Sequence, residues 1–134
     1  MNKPILEIDG ARFDDYAGFC REFSALLTDY EWRGNLDAFD DILYGDFGTP
    51  EEGFVLRWKN SDLSRIALGH AATAQWIEDK LAGCDPSWIE TLKQDLEAAR
   101  QGRGRTLFDE IVDIIRDHAT GGLEPESVVE LELL

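Results

Sequence analysis

Asp37, Asp40 and Asp41 lie close together in the stretch Trp32-Arg33-Gly34-Asn35-Leu36-Asp37-Ala38-Phe39-Asp40-Asp41-Ile42-Leu43-Tyr44. Carboxylates at such spacing support two chemistries. A pair can divide into general acid and general base, or the group can act together as an anionic surface for a cationic partner. The plain alternative is a solvated helix face, which is what most charge clusters are. Two features weigh toward binding. No Lys or Arg follows any of the three aspartates at three or four residues, so within a helix their repulsion is uncompensated, and the last two face the negative end of its dipole. Tyr44 and Phe47, aromatics beside acids, have the composition of an interface anchor.

For the acids to act together the stretch must be helical. With Asn35 as its cap and a turn of about 100° per residue, Leu36, Phe39, Ile42 and Leu43 fall on one side with Ala38 at the margin. Asp37, Asp40, Asp41 and Tyr44 are predicted on the other. Asp29, Glu31 and Asp46 flank this band, and Arg33 is the only base in the neighbourhood.

The rest of the chain must hold that helix. Ile5 to Ile8, closed by Asp9-Gly10, reads as a strand entering a turn. Tyr16, Phe19, Cys20, Phe23, Leu26 and Leu27 share one helical face, with Asp14 available as a cap. Gly53 to Trp58 reads as a buried central strand. Residues 62–81 carry a moderate helical period in which Leu63, Ile66, Ala67, Ala74, Ile77 and Leu81 point inward and Gly69 is a break. Asp85 and Pro86 open a further helix with Trp88, Ile89, Leu92 and Leu96 inward. Arg100 to Arg105 reads as a flexible basic loop. Thr106 and Asp109 form a capping box for a helix with Phe108, Ile111, Val112 and Ile115 inward, ended by Gly121-Gly122. Val129, Leu131 and Leu133 alternate with Glu130 and Glu132, a strand with one wet face. Strands separated by helices require crossovers, so the chain is predicted to be a single α/β domain over residues 1–134 with a small, mostly parallel sheet.

Composition narrows the partners. Thirteen Lys and Arg against twenty-eight Asp and Glu give a net charge of −15, which argues against direct binding of nucleic acid or an anionic membrane and suits a basic partner. Cys20 and Cys84 make no metal-binding or CxxC spacing and fit reduced thiols. The opening MNKPILEIDG lacks the architecture of a signal peptide, and no apolar run approaches the roughly 18 to 20 residues that cross a bilayer. The expected location is the cytoplasm, and no cofactor is expected.

The segment Gly34-Asn35-Leu36-Asp37-Ala38-Phe39-Asp40-Asp41-Ile42-Leu43-Tyr44-Gly45 resembles the acidic helix of barstar-like proteins, the intracellular inhibitors of barnase-like secreted ribonucleases. The resemblance extends to Val55-Leu56-Arg57-Trp58, to Ile114-Ile115-Arg116-Asp117 and to Val129 through Leu133. It implies a two-layer domain with a three-stranded parallel sheet packed by helices. It also implies a function: this helix and the loop before it occlude a ribonuclease active site, their carboxylates standing where RNA phosphates bind. Carried over by position, Asp37 and Asp41 are the main inhibitory carboxylates, Tyr44 a contact one turn on and Asp117 a more distant acid. Glu31 and Trp32 stand where the family has a pair of tyrosines, Asp40 where a Trp is common and Asp46 where another aromatic is common. Residues from about 67 to 105 form an extra helical insertion, read as a brace for the sheet or else as a second contact surface.

Two other function classes compete. An enzyme finds little support, because His70 and His118 are the only histidines, neither in a nucleophile or metal motif. Gly102-Arg103-Gly104 lies between helices and does not follow a strand as a phosphate loop would. An acidic interaction module whose basic partner is not a ribonuclease would keep the same helix and change its target.

Overall fold

The computed structural model describes residues 3–28, 30–43, 48–50, 53–119 and 128–134. Strands β1 (Ile5–Asp9), β2 (Phe54–Lys59) and β3 (Val129–Leu133) form one sheet in the order β1-β2-β3. Both pairings are parallel, with Leu56 between Leu6 and Leu131 and Arg57 between Glu7 and Glu132. The α/β class, the parallel sheet and the central place of the second strand are as expected. Each crossover is helical: α1 (Tyr16–Ser24) and α2 (Leu36–Leu43) join β1 to β2, while α3 (Ser61–Ala67), α4 (His70–Leu81), α5 (Ile89–Arg100) and α6 (Leu107–Asp117) join β2 to β3.

The sheet has two unlike faces, because successive strand residues point opposite ways. Phe54, Leu56 and Trp58 are buried and meet Phe19, Phe23, Phe39, Ile42 and Phe108 from the helices. On the other face, Arg57 pairs with Glu132 at 2.9 Å and Lys59 with Glu7 at 3.5 Å. The central strand is thus buried on one side only, and charge ladders cover the other. The layers are two, as expected of a sheet coated once.

Three local expectations are corrected. The cap of α1 is Asp15, whose carboxylate accepts from the Gly18 amide at 2.7 Å, and not Asp14. In α3, Leu63 and Ile66 face solvent, Ile66 at 80% exposure, and the inward residues are Ser61, Ser64 and the following Leu68. The cause is close approach: a Cβ at Gly10 would lie 2.3 Å from Ser64 Oγ and 2.4 Å from the Asn60 carbonyl. Only a small hydroxyl fits there, and Ser64 Oγ accepts from Trp58 Nε1 at 2.9 Å. Trp88 is 61% exposed, not inward, because residues 86–88 form a 3-10 turn before α5. The expected helix end at Gly121-Gly122 lies outside the described residues.

Helices α4 and α5 form a hairpin with its own small core of Ile77, Leu96 and Ala99. The hairpin is fastened at its base, where Thr73 Oγ1 donates to the Gly69 carbonyl at 2.7 Å and accepts from the Leu107 amide at 2.8 Å. Leu68 O accepts from the Phe108 amide beside it. The basic loop is tied down rather than free: Arg100 pairs with Glu78, and Arg105 with both Glu110 and Asp113. The capping box is present in full, Thr106 Oγ1 accepting from the Asp109 amide while Asp109 accepts from the Thr106 amide.

Candidate partner-binding surface

The expected acidic helix is α2, and its cap is the expected one: Asn35 Oδ1 accepts from the Ala38 amide at 3.1 Å. Phe39, Ile42 and Leu43 are fully buried, fixing which way the helix faces. Asp37 and Asp41 stand exposed on the opposite side. Neither has a hydrogen-bond or ion-pair partner among the described residues.

Asp40 departs from them. Its carboxylate is about a third exposed and lies 2.8 Å from Nε2 of His118, whose side chain is fully buried. An ionised carboxylate only accepts, so Nε2 carries the proton of this bond. The geometry of a helix explains the split. At about 100° per residue, Asp37 and Asp41 lie within about 40° of each other, whereas Asp40 lies about 100° from Asp41 and only about 40° from Leu36. It therefore borders the buried face and turns toward α6. Of the three aspartates expected in one band, Asp37 and Asp41 are exposed and Asp40 is tied to His118. His118, the residue that ties it, was missed, because the two partners are far apart in sequence.

The loop before α2 is pinned from below. Trp32 is 2% exposed, edge-on to Phe23 and tilted against Phe39 at 5.7 and 5.0 Å between ring centroids. Its Nε1 donates to the Asn35 carbonyl at 2.8 Å, and Ser24 Oγ bonds both its amide and its carbonyl at 3.0 Å. The indole of Trp32, expected at the partner surface, is thus part of the core and lies beneath the loop. Tyr16 donates its hydroxyl to the Gly34 carbonyl at 2.6 Å. Gly34 has φ +102°, a left-handed conformation suited to glycine. Burial pushes the Tyr16 phenol far above its usual range and the neighbouring Cys20 thiol up to about 11.

Two open grooves flank α2. One, of about 1130 Å³, runs between the loop and α4, with Tyr30, Glu31, Asp37, Trp76 and Lys80 on its walls. The other, of about 620 Å³, runs between α2, α4 and α6 and draws Asp117 toward Asp37 and Asp40. Glu31 is exposed and Asp117 half-buried. Tyr44 and Asp46 lie outside the described residues, as does Asp29. Among the described residues no three His, Cys, Asp or Glu side chains converge to hold a metal ion. No helix among them is long and apolar enough to cross a membrane.

No curated protein and no solved structure matches the chain. The family model for Barstar (barnase inhibitor) matches residues 3–108, from two residues before β1 into the first turn of α6, and leaves the rest of α6 and β3 beyond its reach. The match spans the sheet's first two strands, the pinned loop and the acidic helix, and the chain accordingly belongs to the barstar family of barnase inhibitors.

Proposed function

We propose that this protein, acting as one domain, inhibits a basic ribonuclease of the barnase type by seating α2 and the loop before it in the enzyme's active site. Asp37 and Asp41 take the places of RNA phosphates there, with Glu31 and Asp117 at the margins. The observation that carries this reading is the state of the two acids. They are exposed and without intramolecular partners among the described residues, on a helix whose other face is locked into the core. Ionised groups held ready on a rigid element lose little freedom on binding and complement a cationic cleft. Asn35 contributes by capping that helix. Tyr44 and Asp46 are assigned to the same surface by resemblance alone. The free thiols Cys20 and Cys84 suit the reducing cytoplasm, where such an inhibitor would protect the cell that makes or meets the ribonuclease.

The test is a titration of RNA cleavage by barnase and other secreted ribonucleases of its type. Inhibition is expected to be complete near an equimolar ratio, with no RNA turnover by the protein alone. The variant carrying both Asp37→Ala and Asp41→Ala should melt as the parent does and inhibit far less. Cleavage of RNA by the pure protein, or undiminished inhibition by that variant, would falsify the reading.

A further inference from the structure

The loop turns into α2 at the peptide between Gly34 and Asn35. Gly34 sits at φ +102°, and a residue with no Cβ can present its carbonyl to either side at little cost. Here the carbonyl points to α1, because the Tyr16 hydroxyl donates to it at 2.6 Å. Burial keeps that phenol protonated and therefore a donor. The next carbonyl, that of Asn35, accepts from the Phe39 amide at 3.0 Å and from the Trp32 indole at 2.8 Å, and the Asn35 side chain caps α2. The Tyr16 bond thus fixes the peptide at which the loop joins the helix.

The Tyr16 ring is set between the loop and the hairpin. It stands edge-on to Trp32 at 6.1 Å and edge-on to Trp76 of α4 at 6.5 Å between centroids. Trp76 packs against the main core and also against the hairpin's own core, and the Lys80 ammonium lies 3.9 Å over its ring. A line of contacts therefore runs from the hairpin through Trp76 and Tyr16 to Gly34, beside the cap of α2 and one helical turn before Asp37.

We infer that Tyr16 is a positioning residue for the partner-binding surface and that the α4–α5 hairpin braces it through Trp76. The hydroxyl selects the arrangement of the Gly34–Asn35 peptide that presents the loop and Asp37 together, and it does so without touching the ribonuclease. This rests on the inhibitor reading and adds the device that keeps the surface ready. The insertion, expected to brace the sheet or to meet the partner, instead braces the binding loop.

Positioning and contact fail in different rate constants. A contact residue such as Asp37 holds the complex together, so its loss speeds dissociation. A positioning residue sets the fraction of free molecules able to bind, so its loss slows association and leaves dissociation alone. The probe is a catalytically inactive form of the ribonuclease that the parent inhibits in the titration above. Tyr16→Phe keeps the ring and loses only the hydroxyl; association should slow about tenfold, with dissociation within about twofold of the parent. Trp76→Ala should slow association by a smaller factor and add nothing in the Tyr16→Phe background, because it acts through the hydroxyl. Thr106→Ala, which removes the distant cap of α6, controls for lost stability alone and should leave both rate constants within about twofold. Unchanged association in Tyr16→Phe, or a loss confined to dissociation, overturns the positioning role, and additive losses in the double variant overturn the brace. Asp37→Ala in the same assay keeps the two readings apart. Weakening by Asp37→Ala with none by Tyr16→Phe removes only this inference, while indifference to Asp37→Ala removes the inhibitor reading itself.

Discussion

Asp37, Asp40 and Asp41 are the same residue type within one short helix, yet they should fail differently. Asp37→Ala or Asp41→Ala removes no bond within the described fold, so stability should stay within about 0.5 kcal/mol of the parent. Binding should weaken by about 2 to 5 kcal/mol, mainly in the dissociation rate, because the partner's desolvated cations are left unpaired. That size is taken from buried charge pairs in general, the barnase–barstar complex among them. Asp40→Ala should do the reverse. It leaves the buried His118 imidazole without the carboxylate at 2.8 Å, a loss of about 1 to 3 kcal/mol read by urea unfolding. Asp41→Asn, which relieves repulsion near the negative end of α2, should be neutral or stabilising by a few tenths of a kcal/mol. The division between these acids was partly legible in the sequence. The angular position of Asp40 beside Leu36 follows from its number alone, but its partner His118 sits at the far end of the chain and leaves no local signal. Trp32 is assigned to the surface only by the resemblance, where the family has one of a pair of tyrosines, and the burial of its indole beneath its own loop depends on packing from α1 and α2 that leaves no local signal.

Elements whose inward face meets only apolar neighbours could be read from their period. In α6, Phe108, Ile111, Val112 and Ile115 are all buried as their spacing requires, and its capping box is entirely local. The period misled in α3, where the backbone at Gly10 comes so close that the inward positions must be serines, a constraint imposed by a distant segment. It also misled at Trp88, one residue short of α5. The join between the hairpin and α6 was not legible, because it rests on Thr73, a residue that looks like any helical threonine. Thr73→Val keeps its shape but removes the oxygen that accepts from the Leu107 amide. The variant should lose about 1 to 3 kcal/mol, measured by thermal or urea unfolding, while Lys80 and Asp37 keep their chemistry. Thr106→Ala should cost about 1 kcal/mol through the lost cap of α6.

At the scale of the whole molecule, charge acts at long range. Glu132, ion-paired to Arg57 on the outer face of the sheet, is far in kind from the acids of α2. Glu132→Gln should lower only the association rate, and that small effect should vanish as salt rises. The alkaline limit of the fold follows from Tyr16 and Cys20. Both are held neutral by burial, so both titrate later in the fold than in the unfolded chain. Below roughly pH 9 neither affects stability. Above it the unfolded chain releases protons that the fold retains, so stability should fall as pH rises. Thermal melts across roughly pH 8 to 11 should show this decline, and Cys20→Ala should reduce it. The pairing of β3 beside β2 has a further consequence, for the order in which the protein is made. Phe54 N bonds the Val128 carbonyl, Ser61 N the Leu134 carbonyl and Val129 N the His118 carbonyl. On the ribosome, β2 and the start of α3 therefore emerge with open hydrogen-bonding groups and must wait through the synthesis of four helices for their partners. Over that interval the nascent chain carries the acidic helix but no completed sheet. A chain stalled before Val128 should expose β2 to chaperones and proteases, and release of the last strand should be the event that makes it resistant.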